Sequence, residues 1–227
     1  MLPARWFLRT RSRVRARDWM LQPNSEFIER MKQRSMLHQE TLSLLDFFAR
    51  RSRCGILEIG AYVGGGTAVI AQALKESGRN IPFATVEVGG SNPNPHVPSS
   101  DILADLKRTL ATNQLTEQAV VVEGHSTAPS TVAVIHEIFA KCGIDMLVID
   151  ADGENGRDFL LYRHLLADNA VIVCDDYFCS EDDNPKKAIV RAWVDDAVAS
   201  KIFREIGIFQ WGTWFGVYRS GTTGSLV

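Results

Sequence analysis

Little in this sequence invites a disulfide framework or a thiolate metal site. Its four cysteines, Cys54, Cys142, Cys174 and Cys179, form no C-x-x-C pair. Three of them (Cys54, Cys142 and Cys174) lie in or beside apolar segments, so buried free thiols and a reducing, cytoplasmic setting are expected. No apolar run approaches the roughly 20 residues of a membrane span, which predicts no membrane partner. The basic start, MLPARWFLRTRSRVRARDWM, lacks a long apolar stretch, so a solvated terminal helix is expected there, with an Arg-rich targeting arm as the alternative, and not a secretory signal. Neither sign of charge dominates. A formal net charge of −2 at pH 7 gives no electrostatic reason to expect a nucleic acid. Internal repeats and low-complexity tracts are missing, and so is the G-x-G-x-x-G spacing of dinucleotide enzymes. What remains is a 227-residue chain, long enough for one domain with a sizeable core and a terminal extension.

The stretch ILEIGAYVGGGTAVIAQAL, residues 56–74, organises that chain. Ile56 to Ile59 is a short apolar run suited to a buried parallel strand. Glycines follow at Gly60, Gly64, Gly65 and Gly66, and Thr67 to Leu74 reads as a helix with Ile70 and Leu74 stacked one turn apart. Gly78 is its expected C-terminal stop. A strand, a glycine loop and a helix N-terminus together present backbone N–H groups to a ligand, and Gly60 allows both a tight turn and a close approach. Glu58, inside the strand end, would repel a phosphate. It suits a cationic or amino-bearing ligand.

The rest of the chain alternates. A helical stretch over about 25–51 carries Met36, Leu37, Leu42, Leu44, Leu45, Phe47 and Phe48, a face that could cover a sheet edge or meet a second subunit in a homodimer. Strands are predicted at 81–88, 119–124, 144–150 and 170–176, and helices at 101–113, 126–143, 156–169 and 185–199, with Gly/Pro/Asn/Ser-rich 89–100 as a loop. Two final runs, 202–209 and 213–219, are joined by Gln210-Trp211-Gly212, a tight link that predicts an antiparallel hairpin. The expected fold is therefore α/β: a Rossmann-like, doubly wound, mostly parallel seven-stranded sheet with a C-terminal antiparallel hairpin. Residues 1–50 form a helical extension or cap, and 51–227 the main domain.

In such sheets ligands bind beyond the C-terminal ends of the strands. Those ends are acidic here: Glu58, Glu87, Asp150 with Asp152, and Asp175 with Asp176. Glu87 ends the second strand, where a carboxylate can accept hydrogen bonds from both hydroxyls of a ribose; the bland alternative is a solvated acid. Asp150, Asp175 and Asp176 come from two neighbouring strands. Like charges that close are costly unless something offsets them. An all-oxygen set points to Mg²⁺, or to Mn²⁺ or Ca²⁺. The alternative is that these acids cap helices or pair with Lys186, Lys187 or Arg191.

Together ILEIGAYVGGGT, the acid in TVEV, the strand end VIDAD and the strand end VIVCDDY resemble the class I S-adenosylmethionine-dependent methyltransferases. More narrowly, they resemble the metal-dependent O-methyltransferases of the macrocin and catechol type. The resemblance covers about 54–219, including the helix start Asn184-Pro185-Lys186-Lys187. It implies that Glu58 and Gly60 to Gly64, with Ala61 and Tyr62 among them, surround the methionine part of S-adenosylmethionine, that Thr67 also belongs to the cofactor site, that Glu87 holds the ribose and that Ser126 lies beside the adenine. It implies Asp150, Asp175 and Asp176 as ligands of Mg²⁺ or another divalent cation, with Asp150 also bordering the cofactor. The acceptor would be a hydroxyl of a small molecule such as a sugar, polyketide or phenol.

One position departs from that pattern. Where relatives commonly carry a Lys or His as general base, this chain has Gly153, within GENG. Asp152 becomes the candidate base, with a helix N-cap as its alternative role, and Glu154 is a weaker candidate. His125 is expected to pack or cap, His164 to be structural in mid-helix, and His136 to sit at the core boundary beside Val132 and Phe139. Glu181-Asp182-Asp183 reads as a solvated loop, and Trp211 and Trp214 as hairpin packing. Two other functions stay open: a metal-dependent glycosyltransferase using Asp150-Ala151-Asp152 as a D-x-D, and a cofactor-binding module without catalysis.

Overall fold

The structure is a computed structural model that describes residues 25–177, 185–210 and 212–221. The Arg-rich start, Cys179, Glu181-Asp182-Asp183, Asn184 and Trp211 lie outside the described residues. Seven strands form one mixed sheet: β1 (Ile56–Ile59), β2 (Phe83–Glu87), β3 (Val120–Glu123), β4 (Ile144–Ile149), β5 (Leu166–Cys174), β6 (Phe203–Phe209) and β7 (Thr213–Tyr218). Their order is β3-β2-β1-β4-β5-β7-β6. The first five run parallel, and β7 runs antiparallel to both its neighbours. The predicted closing hairpin is therefore present, with a register shift between Glu205 and Gly207. Its tight turn uses positive φ at Gln210 and Gly212.

Seven helices accompany the sheet among the described residues: α1 (Ser25–Lys32), α2 (Gln39–Ala49), α3 (Gly65–Glu76), α4 (Ile102–Thr112), α5 (Pro129–Phe139), α6 (Asn155–Tyr162) and α7 (Pro185–Ala199). The local signals work as expected at several ends. Asp101 caps α4 by accepting from the Ala104 N–H at 3.0 Å, Pro129 opens α5, and Gly78 follows α3 at φ +65°. The two faces of the sheet each carry a core. One includes Leu42, Leu45, Ile70, Leu74 and Phe215. The other includes Leu147, Phe159, Tyr162, Val194 and Trp214. Cys174 is fully buried, and burial pushes its thiol up to about 12. It is a free thiol, as are Cys54 and Cys142. No helix among the described residues is long and apolar enough to cross a membrane.

Two boundaries differ from the periodicity. The single helix expected over 25–51 is two helices, broken at residues 33–38. His38 caps the second by accepting from the Glu40 N–H at 3.2 Å. The break lays the connector on the start of α3: a Cβ at Gly65 would stand 2.4 Å from the Arg34 carbonyl oxygen. The apolar face of α2 is used inside the chain, with Leu42, Leu44 and Leu45 fully buried. The helix expected over 156–169 ends at Tyr162. A 3-10 turn, Arg163–Leu165, follows, and Leu166 already pairs with Ile144 of β4. Sheet pairing overrides the helical preference of that leucine-rich stretch. His164 thus sits in the turn and not in mid-helix. Its ring lies 4.5 Å from that of His136, and burial together with His136 and Arg163 lowers its pKa.

Candidate active site

The sheet order reverses between β1 and β4, and this is where the loops part to admit a ligand. Gly60 sits at that point with φ +90°, and a Cβ on it would lie 2.0 Å from the Asp150 carbonyl oxygen. No side chain fits. The neighbouring Tyr62 also takes a positive φ, 51°, which turns its backbone N–H onto Glu87 Oε2 at 2.7 Å. Its hydroxyl donates to the Val97 carbonyl, closing the 89–100 loop over this side. Gly64, at φ +88°, caps α3.

Glu58 is buried below this loop. Its Oε2 accepts from Thr67 Oγ1 at 2.6 Å and from Thr85 Oγ1 at 2.7 Å. Its Oε1 faces Gly66, where a Cβ would stand 3.1 Å away. Burial raises its pKa to about 7, against the two threonine hydrogen bonds, and the nearby Glu87 adds to the rise. Such a carboxyl gains most from a neighbouring cation. Glu87 is also buried, and each of its oxygens already holds one backbone N–H: Tyr62 on Oε2, and Gly89 on Oε1 at 2.9 Å. The carboxylate is thereby locked in one orientation, with lone pairs left for two further donors.

Ser126 belongs to a network the sequence did not reveal. Its hydroxyl donates to Asp158 Oδ1 at 2.7 Å, and its carbonyl accepts from the Tyr162 hydroxyl at 2.5 Å. Asp158 is fully buried, and burial raises its pKa although Ser126 and Arg157 oppose this. Burial also pushes Tyr162 up to about 12. The loops after β3 and β4 are thus tied together through α6. The one sequence signal for Asp158 and Tyr162 is their spacing of four, which places them on one helix face.

Asp150, Asp175 and Asp176 meet, each offering one oxygen, with those oxygens within 4.8 Å of one another. All three are half-buried. Asp176 adopts φ 58°, a strained conformation for a non-glycine residue of the kind that concentrates at functional sites. Burial and Asp175 hold Asp150 well above the ordinary carboxylate range, and burial likewise raises Asp175. Thr213 Oγ1 donates to Asp175 Oδ1 at 2.5 Å and lies 3.1 Å from Thr41 Oγ1, so α2 and β7 both brace this side. Lys186 reaches in from α7, with its Nζ 2.5 Å from Asp176 Oδ2. The alternative of a lysine partner for one of these acids is therefore realised.

Asp152 is exposed and already engaged. It accepts from the Glu154 N–H at 3.0 Å and from Arg157 at 3.2 and 3.0 Å. Burial works against its charge, but these partners outweigh it and hold its pKa below the ordinary value. A carboxylate so held is a weaker base. The helix N-cap position belongs to Glu154, which makes no side-chain capping bond.

Residues 57–177, more than half of the chain, match the family model described as a methyltransferase domain. The chain belongs to that family, in keeping with the class I S-adenosylmethionine-dependent methyltransferases that its motifs resemble. Solved structures share the fold. The O-methyltransferase TomG from Streptomyces achromogenes, solved with S-adenosylmethionine, matches over 97 % of this chain and 100 % of its own, at 14 % identity and a TM-score of 0.64. The Podospora anserina methyltransferase PaMTH1, bound to S-adenosylhomocysteine, matches over 97 % and 99 %, at 18 % identity and a TM-score of 0.63. A Bacillus cereus O-methyltransferase matches over 88 % and 93 %, at 16 % identity and a TM-score of 0.62. No curated protein sequence matches the chain.

Proposed function

We propose that this protein is an O-methyltransferase that uses S-adenosylmethionine and a divalent cation, Mg²⁺ by its donor chemistry, to methylate a hydroxyl of a small molecule. The observation that carries the reading is the acidic run along one sheet edge: Glu58 under a loop with no room for a Cβ, Glu87 preset by two backbone N–H groups, and the three aspartates beside them. These residues fit the cofactor. Glu58 offers a counter-charge to a sulfonium, Gly60 and Gly64, both at positive φ, shape the loop above it, Glu87 keeps acceptor capacity for a diol, and Ser126 lies at the neighbouring strand end. The aspartates fit a hard cation, since all three donors are oxygens.

When bound, S-adenosylmethionine supplies the methyl group, and the cation orients the acceptor hydroxyl and favours its ionised form. The chain's own contribution is placement. The threonine-held Glu58 and the locked Glu87 set the cofactor's position, and Thr213 orients Asp175. Asp152, paired with Arg157, steadies the turn that delivers Asp150, a role its lowered pKa suits better than that of base. The D-x-D reading is disfavoured because Asp152 is turned onto Arg157. Calorimetric titration tests the proposal. S-adenosylmethionine should bind and raise the melting temperature, whereas NAD and nucleotide-sugars should not. NAD binding without S-adenosylmethionine binding would refute it.

A further inference from the structure

Gly153 and Gly156 are sites of close contact. A Cβ at Gly153 would stand 2.5 Å from Lys186 Cγ, and one at Gly156 would stand 2.7 Å from Trp193 Cδ1. Lys186 and Trp193 are seven residues apart, two turns along one face of α7. That helix is fixed from below by Val190, Val194 and Ala197, all fully buried. The two glycines therefore let α7 settle flush on the turn after β4 and the first turn of α6, and the room at Gly153 is filled by the Lys186 stem. The stem directs the ammonium into the carboxylate trio, where it pairs with Asp176; both side chains are 26 % exposed. Asp150 and Asp175 also lie close enough to act on its charge. The position that would hold a basic side chain on the turn holds one on the helix.

We propose that Lys186 is the resident cation of the trio, and that a divalent ion enters only by displacing the Lys186 ammonium from Asp176. This rests on the metal reading above. The helix backbone is anchored, but the side chain has four rotatable bonds and a path to solvent. Displacement is therefore a rotamer change and needs no helix movement. A unit charge this close to the ligands opposes a second cation strongly, so its removal should tighten metal binding by about tenfold or more.

The test titrates Mn²⁺ calorimetrically into the full-length protein and into Lys186→Met, Lys187→Met and Asp175→Asn. Binding of S-adenosylmethionine serves as the check on folding. Methionine keeps the stem against Gly153 and removes the charge. Lys186→Met should bind Mn²⁺ about tenfold tighter, and Lys187→Met, which removes the same charge one residue along, should stay within about twofold of the unaltered protein. Equal or weaker Mn²⁺ binding by Lys186→Met would overturn the inference while leaving the metal site standing. No Mn²⁺ binding by any variant, with S-adenosylmethionine still bound, would overturn it together with the metal reading. A second measurement needs no substitution. Reductive methylation read by peptide mass spectrometry should label Lys186 several-fold faster with saturating Mn²⁺ and leave Lys187 unchanged. Labelling of Lys186 that is indifferent to Mn²⁺ would refute displacement.

Discussion

Glu58 should weaken the very fold it helps to build. Its pKa stands at about 7 in the folded chain against an ordinary value of 4.5, so folding takes up a proton between those values. The sign follows from linkage. The protonated form contributes its full stability below about 4.5, and that contribution is lost as pH rises through about 7. At 1.36 kcal/mol per unit the loss comes to about 3 kcal/mol, a large share of a typical domain's stability. Glu58→Gln keeps the shape, can still accept from Thr67 and Thr85, and does not titrate. Urea unfolding of both proteins without cofactor, across about pH 4.5 to 8, should show the variant gaining roughly 3 kcal/mol on the unaltered protein. Comparing the two curves removes the contributions of Asp158 and Asp175, which are common to both, whereas Asp150 is eased in the variant because the Glu58 charge helps to raise its pKa. The variant should also bind S-adenosylmethionine more weakly, and that affinity should no longer rise with pH through about 7. Stability curves that stay parallel would show that Glu58 ionises without cost, and the argument from burial would fail.

Three other perturbations have definite outcomes. Glu87→Ala should weaken S-adenosylmethionine binding by about 1–3 kcal/mol, the cost of leaving partnered donors without their acceptor; unchanged affinity in a folded variant would place the ribose elsewhere. Gly60→Ala should destabilise the protein by more than about 2 kcal/mol in urea unfolding, since a positive φ and contact with the Asp150 carbonyl both oppose the methyl group. Asp152→Asn should retain most turnover if Asp152 steadies the turn, and should lose it by about 100-fold or more if Asp152 is the general base; steady-state kinetics on an accepted hydroxyl compound decides.

The glycine unit, the alternation of strands and helices and the acids at strand ends were legible because each is a local property. A strand end, a helix stop or a tight hairpin is written within a few neighbouring residues, and the topology rules of parallel sheets then bring Glu58, Glu87, Asp150, Asp175 and Asp176 to one edge. The break at residues 33–38 and the early end of α6 were not legible. The first depends on Gly65, some thirty residues on, and the second on Ile144 of a neighbouring strand. The state of the side chains was decided in the same way. The candidate base Asp152 forms an ion pair with Arg157, and Ser126 acquires Asp158 and Tyr162 as partners. Gly153, which in the sequence marks only a missing base, is in the fold the space that admits Lys186 to the carboxylates. Periodicity says which face a residue occupies, but only packing between distant elements sets which charge lies within 3 Å of which, and so what each acid can do.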